Sequence, residues 1–170
     1  MKETNVANVL ILMGSDSDAP MMNEAVKACK EFGLVPHVTV SSAHRSPERT
    51  RKLVKEAEKE KYVAIICGAG WAAHLAGVVA AETILPVIAV PIASSSLQGI
   101  DALLSSVQMP AGIPVAVMAL GEGGARNAGI FAAQIAARSD AKIAAKLRAF
   151  KQGLSDKVEA KAKEVEKKYA

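Results

Sequence analysis

The chain has 170 residues, of which 51% are hydrophobic and only 4% are aromatic. This length suits one domain with a full-sized core, which Ala, Val, Ile and Leu must fill. The net charge of +4 comes entirely from the last 32 residues, with nine Lys and Arg against five Asp and Glu, while residues 1–138 carry twelve of each. The body therefore has no basic stripe, and nucleic-acid binding is disfavoured.

Strand-type and helix-type segments alternate along the chain. Short apolar runs predict strands at residues 9–13, 35–40, 62–67, 86–90 and 115–120. The segments between and after them predict helices at 19–32, 47–61, 72–83, 100–107 and 125–138. Apolar strands that alternate with helices are typical of a parallel sheet covered on both faces. The sequence thus predicts an α/β fold, a three-layer doubly wound parallel sheet of the flavodoxin type with a C-terminal helical extension.

Capping and turn residues define several of these boundaries. Asp18 is predicted to cap the first helix, which Gly33 ends, and Ser46 is predicted to cap the second. The Gly-Ala-Gly segment at residues 68–70 is expected to form a turn after the third strand.

The last part of the chain differs in character from the rest. A helix is predicted at residues 140–152, interrupted by Gly153 and continued at 155–169. Apolar residues recur in this continuation at helical spacing: Val158, Ala162, Val165 and Tyr169. So narrow a stripe does not suit a monomer core, and the nearly all-apolar helix at 125–138 also suits an interface. We expect one catalytic α/β domain at residues 1–150, a helix at residues 151–170 that packs on a neighbouring subunit, and a homo-oligomer.

Cysteine usage and apolar runs bear on the compartment. Cys29 and Cys67 have no metal-ligand spacing and are expected to be buried, reduced thiols. The start of the chain lacks the basic-then-apolar pattern of a signal peptide. The longest apolar stretch, around residues 84–93, contains two prolines and is too short to span a membrane. We therefore expect a cytoplasmic protein with no membrane contact and no metal site.

Polar residues concentrate in the loops that follow the predicted strands. In an open parallel sheet, ligands bind outside the carboxyl ends of the strands. The loops expected at that edge are residues 14–18, 41–45, 68–74 and 91–99. Because they hold most of the uncharged polar side chains of the body, the sequence predicts a ligand cleft there.

The second of these loops carries the strongest chemical signal. His44 stands beside Arg45 and near Ser42, in a turn between a strand and a helix. Such a turn can hold an anion next to a proton-transfer group. The adjacent cation favours the neutral imidazole, which can act as a base. His74 is the second acid–base candidate, whereas His37, inside a predicted strand, is assigned to packing.

The first loop, Gly-Ser-Asp-Ser-Asp at residues 14–18, has two interpretations. It is either a turn and helix cap, or a phosphate site whose carboxylate holds sugar hydroxyls. No Gly-Lys-Ser/Thr follows it, so a nucleoside triphosphatase is disfavoured.

Several motifs resemble one known family. Gly14–Asp18, Ser42–Pro47, the Gly-Ala-Gly and Ala-Ala-His-Leu segments at 68–75, and residues 106–115 are similar, in order, to the N5-carboxyaminoimidazole ribonucleotide mutases of purine biosynthesis. The similarity spans about residues 8–150. It implies an isomerase that moves a carboxylate from the exocyclic nitrogen of an aminoimidazole ribotide to ring carbon C4, through decarboxylation and recarboxylation. It also implies no metal or other cofactor, and a homo-octamer.

The resemblance also implies roles for individual residues. It makes His44 the general acid/base that transfers the proton at C4. The positions expected to bind substrate are Ser15, Asp18, Ser42, Arg45, Gly70, Ala73, His74 and Leu75.

Two positions depart from the family pattern, and two others bear on the reaction. Trp71 stands where the family usually has Gly, and Ala76 where it has Pro. A related carboxylase that uses free carbon dioxide generally has Lys in place of Arg45 and lacks the segment around His74, so both residues favour the mutase. The alternatives are that carboxylase and a non-enzymatic, flavodoxin-like module that binds phosphoribosyl groups.

Overall fold

A five-stranded parallel sheet forms the centre of the computed structural model, which describes residues 7–170. The strands lie in the order β2-β1-β3-β4-β5, the flavodoxin-type order that was predicted. Their bounds are Asn8–Met13 (β1), Val35–Val40 (β2), Ala64–Gly70 (β3), Val87–Ile92 (β4) and Ala116–Val117 (β5).

Six helices cover this sheet within the described part of the chain. Their bounds are Ala19–Phe32 (α1), Pro47–Lys59 (α2), Leu75–Ala80 (α3), Ile100–Val107 (α4), Glu122–Ala136 (α5) and Ala141–Tyr169 (α6). None of them combines the length and apolarity that a membrane span requires.

Strand β1 contributes side chains to a hydrophobic core on each face of the sheet. Its side chains alternate between faces, so Val9 and Ile11 pack with α1, α5 and α6, while Leu10 and Leu12 pack with α2 and α3. A central strand buried on both sides must be apolar throughout. The edge strand β2 is more exposed, and Val35, Val38 and Val40 lie partly in solvent.

Small residues allow helices α1 and α5 to pack closely. A Cβ atom built on Gly129 of α5 would lie 2.6 Å from the carbonyl oxygen of Ala25 and 2.7 Å from Cβ of Ala28, both on α1. The helix backbones therefore approach too closely for any side chain at this point. This contact shows how a chain with few aromatic residues builds a dense core.

The third strand is longer than predicted, and the turn predicted at residues 68–70 is wrong. The pairing of β3 with β4 continues until Gly70 stands opposite Ile92, and the carbonyl of Gly68 accepts the backbone N–H of Gly14 at 3.1 Å. Glycines in a strand end resemble a turn in sequence, although here they mark close backbone approach. As a result, α3 begins only at Leu75.

Asp18 and Ser46 stand at the predicted N-cap positions of α1 and α2, but neither side chain makes the expected capping bond. Asp18 makes no side-chain cap for α1, and its carboxylate instead accepts the backbone N–H of Ser15 at 3.1 Å. The hydroxyl of Ser46 bonds to the backbone of Ser42 rather than to α2. Gly33 does end α1, in the left-handed conformation with φ of 92°, as predicted.

The last helix is continuous, so the predicted interruption at Gly153 is wrong. Asp140 caps its start by accepting the N–H groups of Lys142 and Ile143 at 2.8 and 3.2 Å. Ile143 and Leu147 pack into the core, but nearly every residue after position 150 is exposed. The assignment of residues 151–170 to a neighbouring subunit stays a prediction.

Two glycine-to-alanine changes on helices should have opposite effects on stability. Gly129→Ala places a methyl group against the backbone of α1 and should lower the free energy of unfolding by about 1–3 kcal/mol. Gly153→Ala meets nothing within 4 Å and should raise the free energy of unfolding by up to about 1 kcal/mol, because alanine favours the helix. Denaturant unfolding at one fixed protein concentration measures both. Equal effects of the two changes would contradict the packing described for α1 and α5.

Candidate active site

A cleft of about 800 Å³ opens at the carboxyl edge of the sheet, within the size range of small-molecule sites. The loops after β1, β2, β3 and β4 all contribute to its walls, as the sequence predicts. Eight of the nine predicted site residues line it: Ser15, Asp18, Ser42, His44, Arg45, Gly70, His74 and Leu75.

The first loop is held by bonds among its own residues. Ser15 caps a single 3-10 turn, Asp16–Asp18, and its hydroxyl accepts the N–H of Ser17 at 3.3 Å. The hydroxyl of Ser17 reaches the same oxygen at 2.9 Å. This network leaves a cluster of hydroxyl groups and one carboxylate on the cleft wall. Such a cluster can bind the phosphate and hydroxyl groups of a sugar phosphate.

Asp18 is an unusual carboxylate because only 6% of the residue is exposed. This burial raises its pKa above the ordinary value of 3.8, and the nearby charge of Asp16 raises it further. The N–H of Ser15 acts in the opposite direction by stabilising the ionised form. A desolvated carboxylate at a cleft wall makes strong hydrogen bonds to ligand hydroxyls, at the expense of chain stability.

The second loop forms one closed turn. The backbone N–H of Ser46 donates to the carbonyl of Ser42 at 2.8 Å, and the N–H of Arg45 donates to the Ser42 hydroxyl at 3.2 Å. Beneath the turn, the buried hydroxyls of Ser41 and Thr50 bond at 2.8 Å. This buried bond ties the turn to α2, while the N–H of Ser41 bonds to the end of β1. His44 and Arg45 are thus carried by a rigid support.

Arg45 lies exposed in the cleft wall. Among residues 7–170, none of the ion pairs formed by arginine or lysine includes Arg45. Arg51, by contrast, pairs with both Glu48 and Glu82 outside the cleft. The guanidinium of Arg45 therefore remains available to an anionic ligand such as phosphate.

The two candidate acid–base residues contact each other across the cleft. Nε2 of His44 lies 3.0 Å from Nδ1 of His74, and the two rings meet edge to face. One imidazole must donate an N–H and the other must accept it, so the pair cannot be doubly protonated and keep this bond. His74 thus faces the cleft rather than capping α3. The contact joins residues that are 30 positions apart, which the sequence does not predict.

Ala73 is the predicted site residue that does not line the cleft. It is buried, and its backbone N–H donates to the hydroxyl of Ser105 on α4 at 2.8 Å. This bond anchors the loop between β3 and α3 from behind. Ala73 therefore supports the position of His74 from beneath the surface.

Ser94 lines the cleft, although sequence analysis did not select it individually among the serines after β4. A Cβ atom on Gly70 would lie 1.7 Å from the Ser94 hydroxyl oxygen. A side chain at position 70 would have to displace the Ser94 hydroxyl from the cleft wall, so glycine leaves this space to Ser94. In the sequence, the features that could have indicated Ser94 are the Gly-rich segment at 68–70 and the Ser-rich loop after β4.

Trp71 also lines the cleft, with 67% of the residue exposed. Its φ of 54° lies in the left-handed region, which costs a residue with a side chain about 1–2 kcal/mol. Glycine adopts this conformation freely. Ala76, the second departure from the family pattern, is buried in α3 against the core.

Three further residues singled out in the sequence lie outside the cleft. His37 is exposed on β2, and its ring packs against that of Tyr62 with centroids 5.2 Å apart. Cys29 and Cys67 are buried free thiols, as expected. Acid–base chemistry in the cleft therefore centres on His44, His74 and Asp18.

Most of the chain is similar to known proteins. The family model described as AIR carboxylase matches residues 8–157. The chain is 49% identical over 156 residues to N5-carboxyaminoimidazole ribonucleotide mutase from Pyrococcus horikoshii, covering 92% of this chain and 87% of that protein. It is 45% identical over 155 residues to the protein of that name from Haemophilus influenzae, covering 91% and 94%. Among solved structures, PurE from Treponema denticola matches with a TM-score of 0.84 and 30% identity, covering 92% and 97%.

The burial of Asp18 predicts a pH-dependent effect on stability. Because its pKa in the folded chain lies above that of an unfolded aspartate, the folded chain binds a proton first as the pH falls. Burial of the ionised Asp18 carboxylate therefore lowers the free energy of unfolding fully at a pH above the raised pKa. This loss of stability disappears as the pH falls from the raised pKa toward 3.8. Asp18→Asn should raise the free energy of unfolding at neutral pH and remove this pH dependence.

Denaturant unfolding between pH 4 and pH 7 measures the effect of Asp18→Asn. Asp156→Asn, which changes an exposed carboxylate on α6, is the matched control and should leave the pH profile as it is. If Asp18→Asn were less stable than the parent chain at neutral pH, the bond from Ser15 would outweigh the cost of burial.

Proposed function

The chain belongs to the AIR carboxylase family, and from this membership we propose that it interconverts N5-carboxyaminoimidazole ribonucleotide and 4-carboxy-5-aminoimidazole ribonucleotide. It is an isomerase of purine biosynthesis. The observation that carries the proposal is the placement of His44 beside Arg45 in the same cleft as the Ser15–Asp18 loop. A proton-transfer group next to an anion site is what a reaction on the ring of a ribotide requires.

The reaction balances without a cofactor. The carbamate bond between nitrogen and carbon breaks, its electron pair stays on the exocyclic nitrogen, and carbon dioxide is released. C4 of the ring then attacks that carbon dioxide and must lose its hydrogen. The nitrogen gains one proton and C4 loses one, so a single acid–base group can supply the first and accept the second.

We assign this proton transfer to His44. Its imidazole lies on the cleft surface, in the turn held by Ser42 and Ser46. The bond to His74 fixes the orientation of the ring. Nε2 of His44 is engaged in this bond. The proposed proton transfer at C4 uses His44 alone and gives His74 no proton to carry.

The remaining cleft residues bind and enclose the ribotide in this proposal. Arg45 and the hydroxyl groups of the Ser15 loop hold the phosphate, since both offer donors to an anion. The desolvated carboxylate of Asp18 accepts hydrogen bonds from the ribose hydroxyls. Small apolar walls give the released carbon dioxide a site without strong polar competition: Ala43, Ala69, Ala72 and Leu75.

The reaction can be tested with the purified chain and the carbamate substrate, in the presence of an enzyme system that removes free carbon dioxide. Product should still form, because the carbon dioxide stays in the cleft. His44→Asn should lower kcat by at least about 100-fold while the ribotide still binds. The matched control His37→Asn changes an exposed histidine outside the cleft and should retain turnover, provided that light scattering gives it the mass of the parent chain.

Other outcomes would indicate other functions. Loss of product in the presence of the scavenger would indicate the carboxylase that uses free carbon dioxide. Ligand binding without turnover in the parent chain would indicate the non-enzymatic binding module. Turnover in His44→Asn at the parent rate would remove the acid–base role from this residue.

We also propose that the chain forms a homo-octamer. Three surfaces carry apolar side chains that the single chain leaves exposed: β2, α4 and the second half of α6. On α4 these are Ile100, Leu104 and Val107, which recur at helical spacing. Burial of such residues against a second copy would remove large apolar areas from water.

Light scattering at micromolar concentration tests the assembly. The expected mass is eight times the chain mass of 17.7 kDa. Val158→Asp combined with Val165→Asp should lower the mass, because the charges enter the apolar stripe of α6. Lys163→Asp on the other side of the helix is the control and should retain the octamer. A monomeric mass for the parent chain would exclude the proposal.

A further inference from the structure

Trp71 is costly to the folded chain in two ways. Its backbone adopts a left-handed conformation that glycine would adopt without strain, and two-thirds of this large apolar residue is exposed. Within the described residues, neither of the two hydrophobic clusters that form the core includes it. The hydrophobic core of the single chain therefore gains no packing from this side chain.

The backbone on both sides of Trp71 is fixed. On one side, Gly70 is paired in the sheet with Ile92 and pressed against Ser94. On the other, Ala73 is anchored to Ser105. The indole is thus mounted on a short rigid span at the mouth of the cleft, and it is not a side chain on a loose loop.

The indole also borders the groups that surround the reacting ring. Trp71 lines the same cleft as His44 and Arg45, and it stands three residues before His74, whose ring contacts His44. A flat aromatic surface at this point matches a flat aromatic ligand, because two π systems stack with the gain of apolar contact.

We propose that Trp71 covers the aminoimidazole ring of the bound ribotide and hinders the escape of the carbon dioxide released from it. The proposal rests on the function proposed above and adds a binding residue to it. In this proposal the bound ring removes part of the exposed Trp71 side chain from water, and the left-handed backbone holds the indole where it can do so.

Because Trp71 is the only tryptophan of the chain, its fluorescence reports this contact directly. Titration with 5-aminoimidazole ribonucleotide should change the emission in a saturable way. Ribose 5-phosphate, which lacks the ring, should bind the phosphate and sugar region and leave the emission nearly unchanged. An emission that ignores the ribonucleotide but depends on protein concentration would overturn the proposal and assign the indole to a subunit contact.

Two substitutions test the effect on turnover. Trp71→Gly should raise KM about tenfold, by loss of the stacked ring, and kcat should change less. It should also increase the share of carbamate that ends as 5-aminoimidazole ribonucleotide, because carbon dioxide escapes more often. Trp71→Phe keeps an aromatic face and should lie close to the parent chain in both measurements.

Circular dichroism and light scattering establish that both variants are folded and assembled. A folded, assembled Trp71→Gly variant with parent values of KM and of carbon dioxide loss would overturn the proposal. Failure of the proposed function itself is distinct, since the parent chain would then make no product from the carbamate. In that case a fluorescence response to the ribonucleotide would still identify Trp71 as a binding residue.

Discussion

The active cleft depends on how far neighbouring strands extend at the carboxyl edge of the sheet. The pairing of β1 with β3 ends where Met13 faces Gly68, whereas the pairing of β3 with β4 continues to Gly70 and Ile92. The sheet edge is therefore stepped. The loops after β1 and β2 begin where these strands end, opposite Gly68 of β3. The loops after β3 and β4 begin further along, after Gly70 and Ile92. The contact between His44 and His74 joins the two sides of this step, and the bond from the N–H of Gly14 to the carbonyl of Gly68 links β3 to the start of the first loop.

Gly70 at the sheet edge and Gly129 in the core have the same physical role. Each lacks a side chain at a point where another group of the chain lies very close. At Gly70 the freed space admits the hydroxyl of Ser94, and at Gly129 it admits the backbone of α1. In a chain with so little aromatic volume, such contacts supply packing density that large side chains provide elsewhere. The fold and the cleft share this solution, so a methyl group added at either glycine would disturb one of them.

The sequence predicted the order of the elements and the edge at which the site lies, because both follow from patterns along the chain. Alternating apolar runs and helical segments determine the layers, and the topology brings the loops together. The bonds and orientations of individual side chains were less predictable. Asp18 and Ser46 have the chemistry of helix caps, yet each side chain bonds to a backbone group of the preceding loop, at Ser15 and Ser42, and not to the helix that follows. The contact of His44 with His74 depends on two loops meeting in space. Ala73 is turned inward for the same reason, and no spacing rule indicates that direction.

The two cysteine thiols of the chain have a consequence for chemical labelling. Burial raises the pKa of the Cys29 thiol to about 12 and also raises the pKa of Cys67. Neither group is a thiolate at neutral pH, so alkylating reagents that need a thiolate do not react with the two cysteines in the folded chain. A cysteine introduced on the surface would then be the one position that reacts. Spin labels or dyes can accordingly be attached to a loop at the rim of the cleft, with both native thiols left in place.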